Sequence, residues 1–87
     1  MNSLTTPEFW ECYNALPESV RSHADDAYKL WRDNPAHPSI MFKRVSRTEP
    51  LYSARIGLVY RALALFEGDT VTWFWIGTHA EYIRLLK

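Results

Sequence analysis

The chain has 87 residues, of which 47% are hydrophobic and 15% aromatic. This is enough for one domain with a buried core, and it excludes an intrinsically disordered chain or a pair of domains. No apolar run approaches about 18 residues and the N-terminus has no charged-then-apolar leader, so we expect neither a transmembrane helix nor a secretion signal. The single cysteine, Cys12, cannot form an internal disulfide, which fits the reducing cytoplasm.

Ten basic and ten acidic residues give a net charge of zero, but the two signs are unevenly distributed. Residues 1–42 carry three bases against six acids, a net charge of −3, and residues 43–87 carry seven bases against four acids, a net charge of +3. A basic half favours a polyanion or an acidic partner segment. Zero overall charge argues against indiscriminate coating of nucleic acid. We therefore expect a local basic surface.

Two helices are predicted in the first half of the chain. The segment 5–8, Thr-Thr-Pro-Glu, is typical of a helix start, and apolar residues then follow on one helical face: Phe9, Cys12, Tyr13 and Leu16. Pro17 begins a second helix that Asn34-Pro35 ends. Its apolar stripe consists of Val20, Ala24, Ala27 and Trp31. These helices should form a hairpin packed on a flat surface.

After Pro38 the hydrophobic period becomes extended. The candidate strands are Ser39–Ser46, Leu51–Ile56, Val59–Glu67 and Thr70–Ile76. Residues 2–5 would add a short first strand, and residues 77–86 predict a short closing helix. The expected fold is α+β: two N-terminal helices on a twisted antiparallel sheet of four to five strands, with residues 1–87 as one domain. Strict alternation would place Trp73 and Trp75 on the same sheet face.

The hairpin over residues 51–65 contains two arginines whose relation depends on the turn. With the three-residue loop Gly57-Leu58-Val59, Arg55 faces Arg61 across the strands, and such like charges repel. The pair then favours an anion between them, such as a phosphate, a partner carboxylate or Glu49. With a two-residue turn the arginines face opposite sides. The alternative is that both are surface residues paired with helix carboxylates.

The ordered segments LPESV, NPAHPS, FKRV, LYSARIG, VYRAL and WFWIGTH-AEY resemble the RelE/ParE toxin superfamily of type II toxin–antitoxin systems, from Thr5 to Leu86. The resemblance implies a cognate antitoxin that masks the basic face. In the RelE branch the toxin cuts mRNA in the ribosomal A site, leaving a cyclic phosphate and a 5′-hydroxyl. In the ParE branch the target is DNA gyrase and no RNA is cut. A degenerate member that only binds an antitoxin is a third possibility.

The resemblance also implies roles for five residues in RNA cleavage. Arg61 and Arg55 would stabilise the charge on the phosphate. His79 would be the general acid, and Tyr82 would stack on a base or orient the phosphate. Glu49 would be the general base, as in relatives that use a glutamate. A histidine could instead cap the last helix, and Glu49 could be a solvated loop residue.

Three further basic residues, Lys43, Arg44 and Arg47, would bind the RNA backbone, although charges on an edge strand also prevent unwanted strand pairing. Ser53 departs from the family pattern, because some active relatives have a second lysine there. This chemistry needs no cofactor and no metal, and the three histidines are too scattered in sequence to suggest a metal site.

Overall fold

The computed structural model describes residues 1–86. The elements in chain order are β1 (Asn2–Thr5), α1 (Pro7–Asn14), α2 (Glu18–Asp33), β2 (Lys43–Arg44), β3 (Leu51–Ile56), β4 (Tyr60–Glu67), β5 (Thr70–Thr78) and α3 (His79–Leu85). The α+β prediction is confirmed, with two N-terminal helices, a five-stranded sheet and a short closing helix. None of the helices in the described residues is long and apolar enough to span a membrane.

The predicted helix ends are found for local chemical reasons. The Thr6 side chain accepts a hydrogen bond from the backbone N–H of Phe9 at 3.2 Å, which caps α1. Helix α2 ends at Asp33 before Asn34-Pro35, as proline predicts. Tyr13 of α1 then donates to Asp25 of α2 at 2.8 Å and ties the two helices together.

The sheet order is β1-β5-β4-β3-β2, and one pairing differs from the prediction. Strands β2 to β5 form the expected antiparallel meander, but β1 runs parallel to β5. The chain leaves β1 directly for α1, which packs on β5, and the Thr6 backbone N–H donates to the Trp73 carbonyl at 3.0 Å. The sheet is therefore mixed, because β1 is parallel to β5 and the other neighbouring strands are antiparallel.

Strand β2 is much shorter than the predicted Ser39–Ser46. Met41 has a φ of +49°, a conformation that L-residues rarely adopt and that breaks regular strand geometry. The chain still touches β3 at this point, since the Arg55 backbone N–H donates to the Ile40 carbonyl at 2.6 Å. Regular pairing survives only where Lys43 faces Ser53 and Arg44 faces Tyr52.

The core lies between the helix pair and one face of the sheet, which we call the helix face. Trp31 of α2 is 1% exposed and its ring lies 5.1 Å from that of Trp73 in β5. Alternate residues of β3, Ala54 and Ile56, join the same cluster. The residues that alternate with them, Ser53 and Arg55, therefore point to the opposite face.

The prediction that Trp73 and Trp75 share a face is wrong. Ala64 pairs with Trp73 and its neighbour Leu63 pairs with Trp75, so Phe74 is an extra residue in β5. Cross-strand partners share a face and adjacent residues do not, so this bulge sends the two tryptophans to opposite faces. Trp73 packs in the core, and Trp75 lies on the face opposite the helix pair.

Candidate active site

The turn between β3 and β4 places the two hairpin arginines opposite each other. The loop has three residues, Gly57-Leu58-Val59, and Gly57 has the φ of +62° that glycine tolerates. Arg55 pairs with Arg61, and Ile56 pairs with Tyr60. The predicted register is confirmed, and both arginines point away from the helix face.

Each arginine is held by backbone of its own hairpin. Arg55 Nε donates to the Gly57 carbonyl at 3.0 Å, and its Nη1 lies 3.6 Å from the Met41 sulfur. Arg61 Nη1 donates to the Tyr60 carbonyl at 2.9 Å. Within residues 1–86 neither guanidinium forms a salt bridge with a carboxylate. The alternative that the arginines pair with helix acids is therefore not what the structure shows.

A small pocket of about 110 Å³ lies over this pair. It is lined by Met41, Lys43, Ser53, Arg55, Arg61, His79 and Tyr82. Four of the five predicted catalytic residues and one predicted RNA contact thus come together, from β2, β3, β4 and α3. The pocket has room for a group of a few heavy atoms, and no carboxylate of the described chain lines it.

Helix α3 brings His79 to the pocket rim. Thr78 accepts from the Glu81 backbone N–H and the Glu81 carboxylate accepts from the Thr78 backbone N–H, forming a capping box. That second hydrogen bond, together with one from the Thr78 hydroxyl, lowers the pKa of Glu81 below its ordinary value. The His79 backbone N–H also donates to the Val59 carbonyl at 2.6 Å, which anchors the helix start to the hairpin loop.

Tyr82 is buried behind the histidine. Its side chain is 8% exposed, its ring stacks on His79 with centroids 5.8 Å apart, and its hydroxyl lies 3.5 Å from Ser53 Oγ. With one face against the imidazole and the rest buried, this ring is poorly placed to stack on a nucleobase. Its geometry fits support of His79 better.

Three predicted residues are not brought to the pocket. Glu49 lies in the loop before β3, six residues from Arg55, a span of about 20 Å in an extended chain. Arg44 faces Tyr52 and so points to the helix face, and its Nε donates to the Ser46 and Glu49 carbonyls at 2.9 and 3.1 Å. Arg47 is exposed in the same loop.

Two pocket residues, Met41 and Ser53, were not among the predicted site residues. Ser53 could have been found, because it lies two positions from Arg55 on the same strand face. Met41 carries no such signal, since its place depends on its unusual backbone conformation. Within residues 1–86 no three His, Cys, Asp or Glu side chains come close enough to hold a metal ion.

A larger groove of about 680 Å³ opens between the helix pair and the helix face of the sheet. Its floor includes Trp31 and Trp73, and exposed Leu4, Trp10 and Tyr28 lie along it. Trp10 lies at the edge of this groove, and its indole N–H donates to Thr5 Oγ1 at 2.9 Å. The groove is mostly apolar, in contrast to the basic pocket.

Comparison with known proteins identifies the family. The ParE-like toxin domain matches residues 18–84. The chain belongs to the ParE-like toxin family. No curated protein sequence gives a significant match.

Solved toxin structures have the same fold. A chain of the RelB–RelE antitoxin–toxin complex from Methanococcus jannaschii has a TM-score of 0.75 at 14% identity, covering 97% of this chain and 99% of that one. YafQ from E. coli has a TM-score of 0.74 at 9% identity, covering 93% and 96%. The YoeB/ParE toxin from Agrobacterium tumefaciens has a TM-score of 0.69 at 14% identity, covering 91% and 99%. At these identities the likeness concerns the fold.

Proposed function

We propose that this ParE-like toxin domain is the toxin of a type II toxin–antitoxin system and inhibits translation in the cytoplasm as a ribosome-dependent mRNA endoribonuclease. The observation that carries the proposal is the pocket in which Arg55, Arg61 and His79 converge with no carboxylate from the described chain. Two opposed arginines without acidic partners make an anion site, and a histidine beside them can serve as a proton donor.

The reaction is an attack of the 2′-hydroxyl oxygen on the adjacent phosphorus. The new O2′–P bond forms as the P–O5′ bond breaks, giving a 2′,3′-cyclic phosphate and a 5′-hydroxyl. Charge grows on the nonbridging phosphate oxygens, and the N–H groups of Arg55 and Arg61 that remain free of the hairpin carbonyls bind them. This chemistry needs no metal ion.

Proton transfer rests on His79. The exposed imidazole stands at the pocket rim and gives a proton to the leaving 5′-oxygen as a general acid. Tyr82 supports the ring from behind. Because Glu49 lies outside the pocket, the predicted glutamate base is replaced in this proposal by solvent, which takes the 2′-hydroxyl proton.

A purified translation system tests the activity. Wild-type protein should cut ribosome-bound mRNA and leave 2′,3′-cyclic phosphate ends, and a 2′-deoxy nucleotide at the cut site should block cleavage. Arg61→Ala should lower the rate by roughly 100-fold, the order expected for a lost charge-stabilising donor. Arg32→Ala, which removes an arginine from the helix layer, is the matched control. Intact mRNA with wild-type protein would overturn the proposal, and inhibition of DNA supercoiling would then indicate a gyrase inhibitor.

The proposed partner is a cognate antitoxin that covers the basic pocket. The Methanococcus jannaschii neighbour was solved as an antitoxin–toxin complex, which supports such a partner. Induction of this chain alone should arrest growth, and co-expression of a small acidic protein from the neighbouring reading frame should relieve the arrest. Growth arrest without RNA cleavage and without inhibition of gyrase would refute both the endoribonuclease function and the gyrase-inhibitor function.

A further inference from the structure

Lys43 lies on the same side of the sheet as the two arginines. In the β2–β3 pairing it faces Ser53, which is two residues from Arg55 on one strand face. It also lines the same pocket as both arginines. Its neighbour Arg44 faces Tyr52 and points the other way, so the two adjacent bases are not equivalent. Only one of them can reach an anion in the pocket.

Ser53 contributes no positive charge to the pocket, and Lys43 lies beside it on the neighbouring strand. Ser53 is 3% exposed, and its Oγ lies 3.5 Å from the buried Tyr82 hydroxyl, so this position of β3 contributes no cation. Lys43 comes from the neighbouring strand directly beside it, exposed and with no carboxylate partner among the residues described. A lysine side chain is a flexible four-carbon stem with three donors, long enough to reach over a serine.

The reacting phosphate gains negative charge that a third cation can stabilise. A phosphodiester carries one negative charge, and a second develops on its nonbridging oxygens as the 2′-oxygen attacks. Arg55 and Arg61 each already donate one hydrogen bond to a hairpin carbonyl. An ammonium is a compact charge that binds one oxygen from a third direction. Three cations from three strands would therefore surround the phosphate.

We propose that Lys43 is a catalytic residue of the cleavage reaction, binding a nonbridging oxygen of the reacting phosphate instead of gripping the RNA backbone at a distance. This inference rests on the proposed function. The O2′–P bond forms and the P–O5′ bond breaks as before; one proton leaves the 2′-oxygen for solvent and one reaches the 5′-oxygen from His79. Lys43 neither gives nor takes a proton.

The test separates kcat from KM for ribosome-bound mRNA. Lys43→Met should lower kcat by roughly 10- to 100-fold with little change in KM, because the lost contact strengthens only as charge develops. Lys29→Met, which removes a lysine from the helix layer, is the matched control and should cleave like wild type. A raised KM with unchanged kcat would show that Lys43 only grips RNA and would overturn the inference.

An exchange variant tests the geometry directly. Lys43→Ser combined with Ser53→Lys moves the ammonium across one strand pair without leaving the pocket face, and it should recover activity relative to Lys43→Ser alone. A folded exchange variant as inactive as Lys43→Ser would count against the inference. If it fails to fold, the kcat result for Lys43→Met decides.

Inorganic phosphate binding distinguishes failure of this inference from failure of the proposed function. If the wild-type protein cuts no RNA, the proposed function fails and the catalytic role of Lys43 fails with it; calorimetric titration with phosphate then decides whether Lys43 belongs to an anion pocket with the two arginines. Phosphate bound several-fold more weakly by Lys43→Met than by Lys29→Met would support a three-cation pocket. Equal binding by the two variants would refute it.

Discussion

The arginine pair should make the free protein less stable than it could be. Arg55 and Arg61 face each other directly and have no salt-bridge partner in residues 1–86. Like charges opposed across strands cost about 0.2–1 kcal/mol. Two unit charges about 4 Å apart repel by about 1 kcal/mol in water, and a larger separation lowers this energy, which agrees with that range. Replacing one arginine with glutamine should therefore remove an unfavourable interaction and abolish the anion site.

A double-mutant cycle measures this repulsion. Arg55→Gln, Arg61→Gln and the double variant are unfolded with urea at low salt, and the coupling between the arginines should be unfavourable by about 0.5 kcal/mol. The cycle cancels the loss of each individual hydrogen bond to a hairpin carbonyl. For a domain of this size such a coupling corresponds to a difference in Tm of about 2–4 °C. Each variant should also lose RNA cleavage.

Salt and phosphate provide the controls. The coupling should largely disappear in 1 M NaCl, where the Debye length falls to about 3 Å. Phosphate should raise the Tm of the wild-type protein more than that of either variant, because binding to the native state stabilises it by mass action. A coupling that is zero or favourable at low salt would refute the charge repulsion on which the anion site is argued.

Three other residues give separate predictions. A Cβ on Gly77 would lie 2.5 Å from the Trp75 ring, so Gly77→Ala should lower the free energy of unfolding by about 1–3 kcal/mol in urea melts. The Thr78 backbone hydrogen bond lowers the pKa of Glu81. The ionised Glu81 therefore stabilises the folded protein fully above its unfolded pKa of about 4.3, and this stabilisation is lost as pH falls through the lower folded pKa. When the free energy of unfolding is measured from pH 6 to 3, Glu81→Gln should lose less stability in acid than wild type. Tyr82→Phe keeps the ring stack and should retain cleavage, whereas Tyr82→Leu should lose about 10-fold in kcat and alter the pH profile of cleavage.

The outcomes that would contradict these three predictions are distinct. Unchanged stability of Gly77→Ala would mean that the Trp75 ring moves aside freely. An equal loss of stability in acid for wild type and Glu81→Gln would mean that the capping box does not contribute. Cleavage by Tyr82→Leu at the wild-type rate and with the wild-type pH profile would show that His79 needs no support from that ring.

Local sequence signals located the hairpin and the helix ends, but they left open whether the hairpin turn has two or three residues. Gly57 within a three-residue loop fixed the facing of Arg55 and Arg61, because the turn length sets the strand register. Thr6 and Pro35 likewise bound the helices through capping and ring geometry, which depend only on neighbours in sequence. Most of the pocket follows from these local rules and strand alternation.

Features that depend on distant contacts were not predicted. The bulge at Phe74 places the Trp73 and Trp75 side chains on opposite faces of the sheet, and the alternation of the aromatic residues gives no signal of this bulge. The left-handed backbone of Met41 delays the start of β2 to Lys43, although methionine gives no turn signal. Glu49 was assigned from a resemblance in sequence order, which says little about where a long loop places its carboxylate.

Strand alternation places the residues of the core on one face of the sheet and the residues of the proposed active site on the other. Along β3, Ala54 and Ile56 are buried against the helices, while Ser53 and Arg55 line the pocket. A one-residue slip in register would exchange the two sets, burying a guanidinium in the core and exposing apolar side chains to the pocket. The turn that opposes the two arginines is therefore also the turn that keeps the core apolar. Because the core fixes this register on one face, a repulsive arginine pair can persist on the other.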